Sequence, residues 1–274
     1  MQNHILRDGN SIPPLGLGTY PLNDVEAEIA VSEAIVRGYR LIDTAVNYKN
    51  EIGVARGVLR SGTPRDEIFV QSKLPGRDHS YEGALRSLEG SLQRMGLDYL
   101  DAYLIHWPNP SQGLYVDTWR GLIKAQEEGL VKSIGVSNFL PEHIDRLIEE
   151  TGVAPAINQI ELHPYSQKRD WAAYNLEHAI LTQCWSPLGR GTDLLKDAEL
   201  AAIAAETGKT AGQVILRWEV QKLHVPLPKT GSPDRMEENL AVFDWELTDK
   251  QMARLDALEA GLGRGFDPST HEEM

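Results

Sequence analysis

Two hydrophobic patterns alternate along the chain. One is a stripe of apolar residues at three- and four-residue steps, as in Tyr81, Leu85, Leu88, Leu92 and Met95, which places them on one helix face. The other is a short unbroken apolar run such as Ile68, Phe69 and Val70, suited to a strand buried on both sides. A glycine separates the two in "AIVRGYRLIDT", "QRMGLDYLDAYLIHW", "QEEGLVKSIGVSN" and "EETGVAPAINQIELH". There it fits the residue after a helix end, where φ is positive. Helix starts are also marked: "SPDR" predicts Ser232 as N-cap with Pro233 at the first helical position, and "TDKQ", Thr248 to Gln251, has capping-box form.

Each apolar run ends on a polar or aromatic residue: Asp43, Lys73, His106, Ser137 with Asn138, Gln159, Trp185 and Lys229. These tips lie about one strand-plus-helix unit apart. With a further strand in "PLGLGTY", the pattern predicts an α/β fold, a single closed (β/α)8 TIM barrel over residues 1–274. A doubly wound open sheet is the alternative, but "GLGTYP" lacks the third glycine and the helix entry of a dinucleotide-binding turn. The first segment, "HILRDGNSIPPLG", predicts an N-terminal β-hairpin turning at Asp8-Gly9 and closing the bottom of the barrel.

Composition narrows the function classes. The chain has 274 residues, 41% of them hydrophobic and 24% charged, enough for one large barrel. Its 27 basic and 40 acidic residues give a formal charge of -13, which makes nucleic acid and anionic membrane poor partners. A bound anion must then be held by a local basic cluster. The single cysteine, Cys184, excludes an internal disulfide and a Cys-rich metal site, and no metal is expected. The N-terminal stretch shows no signal-like apolar core, and no segment approaches the roughly 18 apolar residues of a membrane span, so a cytoplasmic location is expected.

In a (β/α)8 barrel the C-terminal strand ends converge on one rim, so Asp43, Lys73 and His106 are expected to meet there. Tyr48, in the loop "DTAVNYKNE", can reach the same cavity. Taken singly each has an ordinary reading: a solvated loop lysine, a backbone-bonded histidine, a turn aspartate, a packed tyrosine. Together they suit acid catalysis. A phenol titrates near pH 10, so it is a feeble donor at neutrality unless a neighbouring ammonium lowers that value. Lys73 is expected to do this for Tyr48, with Asp43 as counter-charge, while a neutral His106 donates to a substrate oxygen. The set suits protonation of an oxygen gaining negative charge, as when a hydride is added to a carbonyl. A Schiff-base aldolase using Lys73 is an alternative that Asp43 disfavours by keeping the amine charged. Independently, "PKTGSPDRMEEN" puts Lys229, Thr230, Ser232 and Arg235 at a helix start, where backbone N–H groups and the helix dipole favour an anion.

At these residues the chain resembles the aldo-keto reductase superfamily over nearly its whole length. The motifs "GYRLIDTAVNYKNE", "LDAYLIHWPNP", "SIGVSNF", "NQIELHP", "SPLG" and "PKTGSPDRMEEN" occur in the family's order. Within the family, "AINQIELHPY" and the tryptophan of "CWSPLGRG" make it most similar to the bacterial 2,5-diketo-D-gluconate reductase group. The resemblance implies a catalytic tetrad of Asp43, Tyr48, Lys73 and His106, with Tyr48 the proton donor, and NADPH/NADP+ as cofactor. It implies that Ser137, Asn138 and Gln159 hold the nicotinamide carboxamide, that Trp185 stacks on its ring, and that Ser186, Leu188 and Gly189 follow the pyrophosphate. Lys229, Thr230, Ser232 and Arg235 would contact the 2′-phosphate, and Glu238 and Asn239 the adenine. Ser232 departs from the arginine common in the diketogluconate group, which weakens the expected preference for NADPH over NADH. Tyr20, Trp107 and His106 would line the pocket for a small-molecule carbonyl substrate, and the short polar tail "RGFDPSTHEEM" predicts an open, permissive site. A monomer is expected. A non-catalytic NADP-sensing partner protein is the remaining alternative, because channel β subunits resemble the same superfamily.

Overall fold

The computed structural model describes residues 2–274. Its first two strands, β1 (His4–Ile5) and β2 (Ser11–Ile12), form an antiparallel hairpin. The chain then alternates β3 (Leu17–Gly18), α1 (Asp24–Val36), β4 (Leu41–Asp43), α2 (Glu51–Arg60), β5 (Phe69–Leu74) and α3 (Tyr81–Met95). It continues through β6 (Leu100–Ile105), α4 (Tyr115–Glu127), β7 (Val131–Ser137), α5 (Pro141–Thr151), β8 (Ile157–Glu161) and α6 (Arg169–Glu177). Next come β9 (Leu181–Trp185), α7 (Ala198–Thr207), α8 (Ala211–Gln221), β10 (Val225–Pro226), α9 (Pro233–Leu240) and α10 (Asp249–Asp256). Strands β3 to β10 pair in chain order, all parallel. Backbone bonds from Gly16 N to the Pro226 oxygen (3.0 Å) and from Gly18 N to the Pro228 oxygen (3.2 Å) join the first barrel strand to the last. The sheet is thus closed, as the spacing of the strand tips predicts.

Strand faces explain why buried runs contain polar residues. Every residue of β5 is buried, yet successive side chains point to opposite faces. Val70 and Leu74 join the large cluster between sheet and helices, and Ser72 donates to Glu51 of α2 (2.6 Å). Phe69, Gln71 and Lys73 point into the barrel. Phe69 packs at the bottom with Leu41, Ala102, Leu104, Val225 and Leu227, together with Leu6 and Ile12 of the hairpin region, which closes that end as expected. Going up the barrel, its contents change from apolar to amide to charged.

Helix ends follow the local signals. Gly96 (φ 64°) and Gly152 (φ 73°) end α3 and α5 in the left-handed region, which glycine adopts without steric cost. Ser232 caps α9, and Thr248 and Gln251 form a reciprocal capping box on α10. The outer layer exceeds one helix per strand: α7 and α10 are additions, packed through Leu200, Ile203 and Leu255 on Trp218 of α8. Among the described residues no helix is long and apolar enough to cross a membrane.

Helices α1 and α2 are brought together by small residues at Gly53 and Gly57, four positions apart. A Cβ at Gly53 would lie 2.0 Å from the Asp24 carbonyl oxygen, so α1 and α2 cannot keep their separation around a larger residue. Gly53→Ala is expected to lower stability by about 1–3 kcal/mol through overpacking, despite alanine's better helix propensity. Urea unfolding should show a lower midpoint with an unchanged slope; an unchanged or higher midpoint would contradict this close packing.

Candidate active site

The C-terminal strand ends surround a cavity of about 690 Å³, lined among others by Asp43, Tyr48, His106, Asn138, Gln159 and Trp185. Asp43 and Trp185 are the last residues of β4 and β9, Lys73 is the penultimate residue of β5, and His106 directly follows β6. Four residues far apart in sequence therefore reach one place because the barrel closes.

Lys73 is 0% exposed. Its Nζ donates to Asp43 Oδ1 (2.6 Å) and to the Thr44 carbonyl (2.8 Å). The same Asp43 oxygen accepts from Gln71 Nε2 (2.6 Å) and Gln159 Nε2 (2.9 Å). Gln183 completes the layer, accepting from both glutamines and donating back to Gln71 Oε1 (2.9 Å). Gln71 and Gln183 are absent from the sequence-based site. Their signal is a polar residue two positions before a strand tip, on the same inward face as Lys73 and Trp185. Burial pulls the Lys73 pKa down, while the charge and hydrogen bond of Asp43 oppose that shift.

Tyr48 ends a 3-10 turn, Val46–Tyr48, held by its N–H donating to the Ala45 oxygen (3.0 Å). Its ring centroid lies 5.1 Å from Lys73 Nζ, 5.1 Å from the Tyr20 ring and 5.8 Å from the His106 ring. The expectation that Lys73 acidifies this phenol is overturned. Burial pushes the Tyr48 pKa well above its usual value, and the negative charges of Asp43 and Glu273 push it further. Asp43 takes up the charge of Lys73, so little of it is left to act on the phenol.

The remaining predicted residues fall into two groups. Trp185 donates from Nε1 to Asn138 Oδ1 (2.8 Å), and Asn138 Nδ2 donates to the His106 carbonyl (3.1 Å) and Ser137 Oγ (3.0 Å). Ser137 is buried behind Asn138, donating to the Gln159 carbonyl (2.8 Å). Ser186 and Leu188 line the cavity, and Gly189 supports their loop at φ 65°. Lys229 also lines it; Thr230 is buried, with its Oγ1 accepting from Ser232 N (3.0 Å). Ser232 caps α9 half-buried, Arg235 and Glu238 are exposed on its turns, and Asn239 is buried against Tyr39.

The C-terminal tail differs from expectation. It forms part of the wall: Phe266, His271 and Glu273 line the cavity with Tyr20 and Trp107. His271 packs 4.2 Å and Phe266 5.7 Å from Trp107, measured between ring centroids. Glu273 Oε1 lies 2.8 Å from His106 Nδ1 and accepts from Asn47 Nδ2 (2.8 Å). The tail is anchored upstream by Glu161 at the tip of β8, whose two oxygens accept from Arg264 N, each at 2.9 Å. A polar tail is long enough to cross the rim when acceptors at strand tips hold its backbone, which composition alone does not reveal.

The family model for the aldo/keto reductase family matches residues 14–260. The chain is 51% identical over 269 residues to 2,5-diketo-D-gluconic acid reductase B of Corynebacterium sp. (strain SHS752001), covering 98% of this chain and 97% of that one. The chain belongs to the aldo/keto reductase family. As such it is an oxidoreductase acting on carbonyl groups, and other relatives agree. Methylglyoxal reductase DkgA of Yersinia pestis is 44% identical, covering 96% of this chain and 95% of its own. The Bombyx mori aldo-keto reductase solved in complex with NADP superimposes with a TM-score of 0.90 at 34% identity, covering 97% of this chain and 96% of its own.

For this reductase the raised Tyr48 pKa means that the phenol stays protonated through the neutral range. An ultraviolet difference titration of wild type against Tyr48→Phe should show no phenolate from this residue below pH 10. A phenolate signal near neutrality that is missing in the variant would mean that the ammonium outweighs burial after all.

Proposed function

We propose that this reductase uses NADPH to reduce aldehydes and ketones, dicarbonyls and keto-sugars among them, with Tyr48 as general acid. The observation that carries the reading is the cluster of Asp43, Lys73, Tyr48 and His106 at one end of a cavity whose other walls suit a nicotinamide nucleotide. Trp185 offers an aromatic face, and the amides of Asn138 and Gln159 offer polar partners for a carboxamide. Lys229 and Arg235 flank the capped start of α9, and among the described residues neither is ion-paired. Two free cations at a helix N-terminus fit a phosphate monoester and favour NADPH over NADH. The names of the relatives, reductases of a diketo acid and of methylglyoxal, support dicarbonyl substrates.

Bound there, NADPH would supply a hydride to the carbonyl carbon. The chain's own groups handle the oxygen. His106 orients it, and Tyr48, a protonated phenol, gives it a proton as negative charge builds. Lys73 then faces a developing phenolate at the ring it already contacts, and Asp43 keeps the amine charged for that moment. Preorganisation is the contribution of the buried layer: the glutamines hold Asp43, and Asp43 holds Lys73. The aldolase alternative needs a free, accessible amine, whereas Nζ of Lys73 is buried between two oxygen acceptors.

Tyr48→Phe should reduce kcat on a dicarbonyl by about 10²–10⁴-fold, the usual worth of a positioned acid. NADPH binding, followed by quenching of tryptophan fluorescence, should be retained. A variant that turns over at the wild-type rate would remove Tyr48 as the acid.

A further inference from the structure

The cavity changes character from its inner end to its mouth. At the inner end each carboxylate has a partner: Asp43 Oδ1 accepts from Lys73 Nζ (2.6 Å), and Glu273 Oε1 lies 2.8 Å from His106 Nδ1. No other carboxylate lines the cavity among the described residues. Further out the wall carries Arg190 and Arg264, both exposed, and among the described residues neither side chain has an ion pair or a hydrogen bond. Carboxylates are plentiful in a chain of formal charge -13, and Arg37, Arg94, Arg120 and Arg254 each pair with a glutamate.

Both guanidiniums stand over aromatic residues of the carbonyl pocket. The Tyr48 ring packs on that of the more exposed Tyr20 (5.1 Å between centroids), and Arg190 Cζ lies 5.1 Å from the Tyr20 centroid. Arg264 Cζ lies 5.9 Å from the Phe266 ring, which packs 5.7 Å from Trp107. The two cations are also near each other, since a Cβ on Gly191, the residue after Arg190, would lie 3.9 Å from Arg264 Nη1. Backbone contacts hold the tail that delivers Arg264: Glu161 accepts from Arg264 N (2.9 Å), and Asn109 accepts from Glu273 N (3.0 Å). A ring face attracts a guanidinium without neutralising it. The N–H groups at the edge therefore stay free for an acceptor with two oxygens.

We propose that Arg190 and Arg264 are specificity-determining residues of the carbonyl pocket: together they bind a carboxylate carried several bonds from the reacting carbonyl. The favoured substrates are then anionic aldehydes and ketones with the charge remote from the reaction. The proposal rests on the reductase reading above. Two neighbouring cations without counter-ions create a positive potential at the mouth of an otherwise acidic protein, which draws such substrates in. A carbonyl at Tyr48 and a carboxylate at Arg190 are separated by two ring contacts, a span that a short carbon chain or one benzene ring bridges.

4-Carboxybenzaldehyde and 4-formylbenzamide test this, because they differ only in a carboxylate or a carboxamide across the ring from the same aldehyde. With Arg190→Gln and Arg264→Gln combined, the ratio of kcat/KM for the acid over the amide should fall about tenfold or more. Arg56→Gln, which removes an equal charge from the exposed side of α2, should leave that ratio where it was. Added salt should narrow the wild-type ratio, because the arginines face solvent. A ratio that stays unchanged in the double variant, or that falls equally in Arg56→Gln, would overturn the proposal. So would equal losses for both aldehydes accompanied by weaker NADPH binding, which would give the arginines to the diphosphate of the cofactor. Calorimetry with 4-methylbenzoate, which cannot accept a hydride, reads binding apart from turnover. In the presence of NADP+ it should bind wild type about tenfold more tightly than the double variant, and equal affinities would count against the arginines. If wild type reduces neither aldehyde, the reductase reading fails, and the calorimetric comparison still decides the role of the arginines.

Discussion

A lysine and an aspartate sealed inside the barrel set the terms for everything around them. Moving either charge out of water alone would cost several kcal/mol, and even a contact ion pair barely recovers that unless its remaining lone pairs are satisfied. Here they are satisfied: Asp43 accepts from two glutamines as well as from Lys73, and Lys73 donates to a carbonyl as well as to Asp43. The pair needs the amide layer below it, and the amide layer needs a closed barrel, since Gln71 and Gln183 belong to strands on opposite sides of the sheet order. Fold and site are therefore one problem: the apolar floor and hairpin keep water out from below, and the strand tips deliver polar groups above.

That arrangement also explains the state of the phenol proposed as the acid. An ammonium already committed to a carboxylate has little left to offer an uncharged neighbour, and burial then decides the direction of the Tyr48 shift. A protonated phenol is the form a donor must have before it acts. In the proposed reaction the ammonium matters later, when negative charge appears beside it, which is differential stabilisation of the kind that speeds a reaction rather than tightening a ground state.

Much of this was legible along the chain, and what was not has a common cause. The hairpin at Asp8-Gly9, the caps at Ser232 and Thr248, and the glycines after α3 and α5 depend on residues a few positions apart, so local pattern suffices. Asp43, Lys73 and His106 are readable because a parallel barrel must bring strand ends together. Gln71 and Gln183 are paired across 112 residues, and Glu273 meets Asn109 across 164; neither pairing follows from periodicity. The direction of the Tyr48 shift escaped for a different reason: sequence names the neighbours, but only geometry says whether desolvation or charge prevails. A short polar tail looked like an absent wall, and it becomes one because Glu161, Asn47 and Asn109 hold its backbone.

The most direct test is a double-mutant cycle on the buried pair, with stability read from urea unfolding. If Asp43 and Lys73 act as a unit, Asp43→Leu and Lys73→Met should each cost about 3–5 kcal/mol, because each strands a buried charge. The double variant should then cost clearly less than their sum. Costs that add to within about 0.5 kcal/mol would mean the two charges are independent, and the account of the site built on them would fail.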